Sequence, residues 1–211
     1  MMGIARQRAA PRGFTLIELL VVVMVLGLLM GILLPVVSAV RRQAWVTTAK
    51  HDLRQVGLAC QQYHEDYERY PPARTFCASR MASLDEYNHL PDELVVDGYL
   101  PELPEDVFNP GQTYKYIAPG FGWANGMGTY LAIWVPRAFP GDGGPDDDVP
   151  YFDQPSSPVK FAAWSVGPSG AKTVFESDML HYPVPPRHWY PDKGDGIIVY
   201  LMAEGGPRCS P

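Results

Sequence analysis

The chain has 211 residues, of which 46% are hydrophobic and 19% charged, with 17 basic against 23 acidic side chains and a formal net charge of −6. This acidic balance argues against binding nucleic acid by bulk charge, which needs a basic face that displaces counterions, so nucleic acid is not an expected partner.

The first predicted element is a short basic leader at residues 1–13. It contains Arg6, Arg8 and Arg12 and no acidic residue, as the basic region of an export signal does. The apolar run that follows is too long for an ordinary secretory signal, and no small-x-small cleavage site closes it. We therefore expect the apolar segment to stay in the mature protein.

The second predicted element is a membrane-spanning helix over residues 14–35. Its apolar run from Phe14 to Leu34 would span roughly 30 Å as a helix, the thickness of the hydrocarbon core of a bilayer. Glu18 is the one charged residue in this run, and from the residues alone it could contact lipid headgroups or pair with a partner inside the membrane. Pro35 predicts a kink, local melting or an ordinary helix stop.

The start of this helix resembles the prepilin signature. The segment Arg12–Val22 is similar to the motif shared by type IV pilins and the pseudopilins of type II secretion systems, with Gly13, Phe14 and Glu18 at its defining positions. The resemblance implies that a prepilin peptidase cuts between Gly13 and Phe14 and methylates the new amine of Phe14. It also implies that Glu18 faces the N-terminal ammonium of a neighbouring subunit, and that filament packing can unwind the helix at Pro35.

The third predicted element is an amphipathic continuation of the helix over residues 36–70. Apolar residues recur there at alternating spacings of three and four, which places them on one stripe of a helix. The stripe consists of Val46, Ala49, Leu53, Val56, Cys60, Tyr63, Tyr67 and Tyr70. We expect it to pack on the protein's own sheet, because its aromatic end suits a sheet better than a two-helix coiled coil.

Residues 71–211 are predicted to form one loop-rich C-terminal domain. A proline near the first turn and Gly98 after the last predict a short helix over 90–98. Four runs rich in Tyr, Ile, Val and Trp predict strands at 112–118, 129–136, 159–166 and 195–202. The expected fold class is α+β, a long N-terminal helix packed on a small antiparallel sheet, as in the pilin-like fold.

Four segments of this domain look like those of pseudopilins of the major, G type. They are Tyr99–Pro104, Phe108–Pro110, Trp164–Gly170 and Gly194–Ile197. The loop over 171–193 has no counterpart in that resemblance.

The resemblance implies a structural subunit that polymerises with copies of itself through the N-terminal helix. Its implied partners are minor pseudopilins, the prepilin peptidase, an inner-membrane assembly platform and the ATPase of that platform. The implied location is the bacterial inner membrane before assembly, with the C-terminal domain in the periplasm. A surface pilin for adhesion, motility or DNA uptake, and a monomeric membrane-anchored binding domain, are the alternatives.

No enzymatic site is expected. The glycine-rich segment 120–128 matches neither a dinucleotide-binding loop nor a Walker loop, and we interpret it as a flexible connection between strands. The five histidines lie outside any zinc motif, and no serine lies in a nucleophile elbow.

The candidate metal site is an acidic loop in the C-terminal domain. Its five acids are Asp142, Asp146, Asp147, Asp148 and Asp153. Ca²⁺ takes six to eight oxygen ligands, which such a loop could provide, although the spacing is not that of an EF-hand. A calcium site and a plain solvated loop both remain open. The resemblance to G-type pseudopilins, which hold a calcium in a loop of the C-terminal sheet, adds weight to calcium.

Export would allow disulfides, but the cysteine count is odd. Cys60, Cys77 and Cys209 offer several pairings, and Cys60 also suits a small core residue because it lies on the apolar stripe. The sequence leaves the pairing open.

Overall fold

The computed structural model describes residues 15–75, 88–168, 183–190 and 196–211. The leader over 1–13, the cleavage residues Gly13 and Phe14, and Cys77 lie outside these residues, as does most of the loop over 171–193. The chain divides into two compact units, Met1–Arg42 and Gln43–Pro211. The fold class is α+β, as predicted.

One long helix, α1 (Leu16–Tyr67), begins in the first unit and ends in the second. An 18-residue window near its start has a mean hydropathy of 3.0, and none of that window is buried within the chain. This stretch is long and apolar enough to cross a bilayer. The first buried residue of α1 is Val46.

The course of α1 differs from the prediction at two places. The helix continues through Pro35, so the local melting expected there does not occur in the single chain. A proline removes only one backbone hydrogen bond, the one that its nitrogen would donate to the Gly31 carbonyl, and the helix continues on both sides of it. The helix ends at Tyr67 rather than Tyr70, because Glu68 adopts a left-handed φ of 56° that closes the last turn.

The second unit adds one short helix and nine strands within its described residues. They are β1 (Arg74–Thr75), α2 (Glu93–Val96), β2 (Lys115–Ile117), β3 (Gly120–Ala124), β4 (Met127–Leu131), β5 (Ile133–Pro136), β6 (Asp148–Tyr151), β7 (Val159–Ser165), β8 (Ile198–Ala203) and β9 (Gly206–Cys209). The predicted helix over 90–98 is found as α2, and Gly98 has the left-handed φ of 83° that its stop requires.

The strands form three sheets. β2, β7, β8 and β9 make a four-stranded antiparallel sheet in that order. β1, β3 and β4 make a second sheet in which β1 runs parallel to β3, and β5 pairs with β6 in a two-stranded ladder. The predicted antiparallel sheet is therefore confirmed, with the strands predicted at 112–118, 159–166 and 195–202 recovered as β2, β7 and β8.

Two strand predictions are wrong. The run 129–136 is not one strand, since it divides between β4 and β5, which belong to different sheets. The glycine-rich segment 120–128 is not a flexible connection, because it forms most of the β3–β4 hairpin. Asn125 and Gly126 provide its turn, with φ values of 52° and 76°, the left-handed pair that a tight hairpin needs.

The central strands of the four-stranded sheet, β7 and β8, are buried on both faces. Phe161 and Ala163 of β7 face the second half of α1, whereas Ala162 and Trp164 face a cluster that contains β5. Alternate residues of a strand point to opposite faces, so a strand buried on both sides reads as a continuous apolar run. This explains why β7 and β8 could be recognised in the sequence.

The predicted stripe on α1 is confirmed as the contact with this sheet. Six of its eight residues are buried, from Val46 to Tyr63, while Tyr67 is 46% exposed and stacks on Tyr63 with ring centroids 4.4 Å apart. Polar contacts fix the helix at the edges of the stripe. The Tyr114 hydroxyl donates to Asp52 at 2.9 Å, and the Gln61 amide donates to the Tyr200 hydroxyl at 3.1 Å.

Candidate assembly site

Glu18 lies in the first turn of α1, where it caps the helix. Its carboxylate accepts hydrogen bonds from the Thr15 amide at 2.9 Å and from the Thr15 hydroxyl at 2.7 Å. The Glu18 amide in turn donates to the Thr15 hydroxyl oxygen at 3.3 Å. This reciprocal pair is a capping box, which satisfies backbone donors that the start of a helix leaves open. In the single chain, Glu18 therefore has a partner within its own helix.

The capping box also determines where the carboxylate lies along the chain. The carboxylate of Glu18 is held against Thr15, the residue that follows Phe14 in the sequence. Pairing between Glu18 and the amine of another copy stays a prediction, because Phe14 lies outside the described residues.

The described part of the first unit, residues 15–42, presents an apolar surface that is not buried within the chain. Every described residue of this unit, from Thr15 to Arg42, is exposed, including large side chains such as Leu16, at 81%. An apolar surface of this extent needs lipid or other apolar helices around it. The described part of the first unit thus combines one capped carboxylate with an uncovered apolar helix.

The five aspartates of the predicted metal site do not converge on one point. Asp142 and Asp148 both contact the guanidinium of Arg187, at 3.5 and 2.8 Å. Asp147 accepts from the Gly144 amide at 3.3 Å and so closes a 3₁₀ turn, Pro145–Asp147. Asp146 is exposed.

Asp153 is engaged separately, in the turn after β6. It accepts from the Ser156 hydroxyl at 2.6 Å and from the Ser156 amide at 2.9 Å, and these hydrogen bonds lower the pKa of the Asp153 carboxyl. Within the described residues, no group of three or more His, Cys, Asp or Glu side chains is placed to hold a metal ion. In this arrangement the five side chains do not form one calcium site. Calcium binding by this chain stays a prediction.

Two family models match consecutive parts of the chain. The model of the prokaryotic N-terminal methylation motif matches residues 8–34, and that of the type II secretion system (T2SS), protein G, matches residues 36–126. The type II secretion system core protein G of Pseudomonas aeruginosa is 38% identical over 114 residues, covering 54% of this chain and 78% of that relative. The chain belongs to the core protein G family.

Other core protein G relatives agree. The protein of Aeromonas hydrophila is 27% identical over 147 residues, covering 68% of this chain and 93% of the relative. The protein of Vibrio cholerae is 30% identical over 108 residues, covering 51% and 71%. No solved structure gives a significant match.

The matched regions place Gly13, Phe14 and Glu18 in the methylation motif and the whole buried stripe of α1 in the core protein G region. The acidic cluster and Arg187 lie beyond residue 126, where the family model no longer matches. Their arrangement therefore has to be interpreted from this chain's own contacts.

One buried carboxylate in this core protein G domain was missed in the sequence. Asp106 is fully buried and accepts hydrogen bonds from the Phe108 amide at 3.0 Å, the Ser165 hydroxyl at 2.7 Å and the Val166 amide at 3.0 Å. Burial raises the pKa of this carboxyl, and the hydrogen bonds partly offset that shift. These hydrogen bonds connect the loop between α2 and β2, which contains Asp106, to the end of β7.

Cys60 and Cys209 are both free thiols in the structure. Cys60 is fully buried in the contact between α1 and the sheet, and burial raises the pKa of its thiol. The thiol is therefore held in its protonated, unreactive form. Of the alternatives left open by the sequence, the core position is the one that Cys60 occupies.

Proposed function

We propose that this chain is a pseudopilin that polymerises through its N-terminal helix into the filament of a type II secretion system. The observation that carries the proposal is the capped Glu18 at the start of an exposed apolar helix, in a member of the core protein G family. Cleavage between Gly13 and Phe14 by a prepilin peptidase, followed by methylation of Phe14, precedes assembly.

The leader and the apolar helix together account for the state before assembly. Arg6, Arg8 and Arg12 keep the leader on the cytoplasmic side, because positive charge is retained there during insertion. The helix over 14–35 then spans the inner membrane and the second unit lies in the periplasm. Processing removes the arginines and leaves an ammonium on Phe14.

Assembly places the Glu18 carboxylate of one copy against the Phe14 ammonium of another. A charge left unpaired in apolar surroundings costs several kcal/mol, and pairing offsets much of that cost. Because the pair forms only when neighbouring helices are correctly staggered, it sets the register between subunits. We further propose minor pseudopilins, an inner-membrane platform and its ATPase as the partners of this step.

The proposal is tested in the source bacterium with a strain that lacks this chain. Secreted proteins in the medium and fibres on the cell surface are measured in the deletion strain and after complementation. We expect loss of secretion with surface fibres intact. Loss of surface fibres with normal secretion would instead identify a surface pilin. Normal secretion together with normal fibres would favour the third alternative, a monomeric membrane-anchored domain.

An uncleavable variant is the matched control, because it keeps the folded domain in the membrane but cannot form the Phe14 amine that assembly needs. Complementation with a Gly13→Phe variant should leave the chain unprocessed in the membrane and should not restore secretion. Processing is read from the mass of the membrane-bound chain, and restored secretion by an uncleaved chain would contradict the proposed role of the Phe14 amine.

A further inference from the structure

The acidic loop between β5 and β6, residues 137–147, is closed by a side chain from a distant part of the sequence. Asp142 lies in this loop and Asp148 directly follows it, and both contact Arg187, which is 45 and 39 residues further along the chain. Arg187 belongs to a 3₁₀ turn, Pro186–His188. The side chain of Arg187 therefore links the loop to a second segment.

The contacts surround the guanidinium of Arg187 with oxygen atoms. Nη2 donates to Asp148 Oδ2 at 2.8 Å, and Nη1 donates to the Asp142 carbonyl oxygen at 3.2 Å and to Asp142 Oδ1 at 3.5 Å. The Arg187 amide also donates to Asp142 Oδ1, at 3.0 Å. Side-chain oxygens and a carbonyl oxygen converging on one positive charge are also the kind of ligands that a hard metal cation takes.

Burial makes this ion pair necessary to the fold. The Asp148 side chain is 0% exposed and that of Arg187 is 15% exposed. A buried carboxylate is strongly destabilising unless a positive charge and hydrogen bonds compensate for its lost hydration. A calcium ion at the same oxygens would have to displace the guanidinium or lie beside its positive charge.

A second side-chain cation acts in the same way on the turn that follows β6. Lys160 Nζ donates to the carbonyl oxygens of Ser157 at 2.7 Å, Gln154 at 2.9 Å and Pro155 at 3.3 Å, and it lies 3.3 Å from the Glu204 carboxylate. Both oxygen-rich turns of the acidic segment are thus closed by the chain's own cations.

We propose that Arg187, supported by Lys160, supplies the positive charge that the acidic segment 142–157 requires, so that this segment folds without a calcium ion. This differs from the calcium that the resemblance to G-type pseudopilins predicts. The proposal concerns the stability of the second unit and holds whether or not the chain builds a secretion filament.

The test measures thermal unfolding of the full chain in detergent by tryptophan fluorescence, with calcium and with EDTA. We expect calcium to have the same effect on the melting temperature of the wild type and of Asp142→Asn, in which segment 142–157 has lost one of its carboxylates. We expect Arg187→Gln to lower the melting temperature by roughly 6–20 °C, as breaking a buried ion pair does in a domain of this size. Arg137→Gln is the matched control, since Arg137 is exposed in the same loop, and it should leave the melting temperature unchanged.

Three outcomes would overturn the proposal. Calcium could raise the melting temperature of the wild type but not that of Asp142→Asn, calorimetry could detect calcium binding to the wild type that Asp142→Asn abolishes, or Arg187→Gln could melt like Arg137→Gln. If Arg187→Gln does not fold, the double variant Arg187→Gln/Asp148→Asn decides. Removing both charges should restore a cooperative transition, and a double variant that also fails to fold would contradict an ion-pair role.

Discussion

At the residue scale, the Glu18 side chain has two roles: it caps the start of α1, and it carries a negative charge. One substitution removes the charge and keeps the cap. Glutamine at this position can still accept the hydrogen bonds from Thr15, because a capping box tolerates either side chain, but it carries no charge. We expect Glu18→Gln to remain in the membrane fraction and to reduce filament formation roughly 100-fold or more, since leaving the Phe14 ammonium unpaired costs about 3–5 kcal/mol. Filaments are measured by sedimentation and electron microscopy after overproduction.

The opposite substitution is the control for Glu18→Gln. Thr15→Val removes the hydroxyl of the cap and keeps the charge, so it should weaken the first turn by about 1 kcal/mol and leave most of the assembly intact. Glu18→Ala removes both features and should assemble as poorly as Glu18→Gln. Normal filaments from Glu18→Gln would show that the charge is not required.

Asp106 gives a pH-dependent prediction. Asp106→Asn loses one carboxylate acceptor for the Val166 amide and should destabilise the domain by about 1–3 kcal/mol. Because burial raises the native pKa of Asp106, the native state takes up this proton at a higher pH than the unfolded state does. The free energy of unfolding that Asp106 contributes therefore rises as the pH falls through the raised native pKa towards the ordinary Asp value of about 3.9.

The measurement is denaturant unfolding of wild type and Asp106→Asn in detergent at several pH values. The variant has no titrating group at this position, so the stability difference between the two proteins isolates Asp106. We expect this difference to widen towards acidic pH, and a difference that narrows there would contradict a raised pKa.

These residues differ in how far the sequence could reveal them. Glu18 was recognisable, and the Thr15-x-x-Glu18 spacing before an apolar run also contained the capping box. Asp106 and Arg187 were not recognisable. Asp106 bonds to Ser165, 59 residues away, and Arg187 contacts Asp148 at a separation of 39, so each partnership depends on the tertiary fold.

At the element scale, the contact between α1 and the sheet depends on one glycine. The ring of Tyr200 covers Gly57 so closely that an added Cβ would lie 2.2 Å from a ring carbon. Gly57→Ala should therefore destabilise the domain by about 1–3 kcal/mol, despite alanine's better helix propensity, because the helix and sheet must move apart. Denaturant unfolding in detergent measures the change.

Gly205→Ala is the matched control for Gly57→Ala, since nothing lies within 4 Å of a Cβ at Gly205. It should change the free energy of unfolding by less than about 0.5 kcal/mol. The double variant Gly57→Ala/Tyr200→Ala should be more stable than the sum of the two single changes predicts, because the smaller side chain makes room. Strict additivity would argue against a direct clash.

Element prediction succeeded where a local period determines the structure. The stripe on α1 and the apolar runs of β7 and β8 are visible as periods of 3.6 residues or as continuous apolar runs. The β3–β4 hairpin had a signal in Asn125-Gly126 that its glycine content obscured. The division between β4 and β5 had none, because which sheet a strand joins is decided by partners elsewhere in the chain.

At the scale of the whole molecule, the two units have different requirements from their surroundings. The described part of the first unit exposes apolar side chains and has no buried residue, whereas the second contains both hydrophobic clusters. Hydrophobic burial is the dominant favourable term in folding, so stability within the chain resides in the second unit. The first unit contributes a surface that only lipid or other helices can cover.

This division predicts that the fragment 43–211 folds without the membrane-spanning part. All buried residues of α1 lie between Val46 and Tyr63, so the fragment keeps every described core residue. We expect it to be soluble and monomeric without detergent and to unfold in one cooperative transition, with a free energy of about 5–15 kcal/mol. Size-exclusion chromatography and denaturant unfolding followed by tryptophan fluorescence provide the measurement.

A shorter fragment shows whether the helix stripe, rather than the sheet alone, supplies this stability. A chain that begins at Arg54 lacks Val46, Ala49 and Leu53 and exposes the sheet surface that they cover. Burying a Val or Leu side chain is worth about 1.5–3 kcal/mol, so this fragment should lose most of its stability and bind hydrophobic dyes. If both fragments unfold alike, the stripe does not hold the sheet. If the fragment 43–211 has no cooperative transition, the second unit needs the membrane-spanning helix in order to fold.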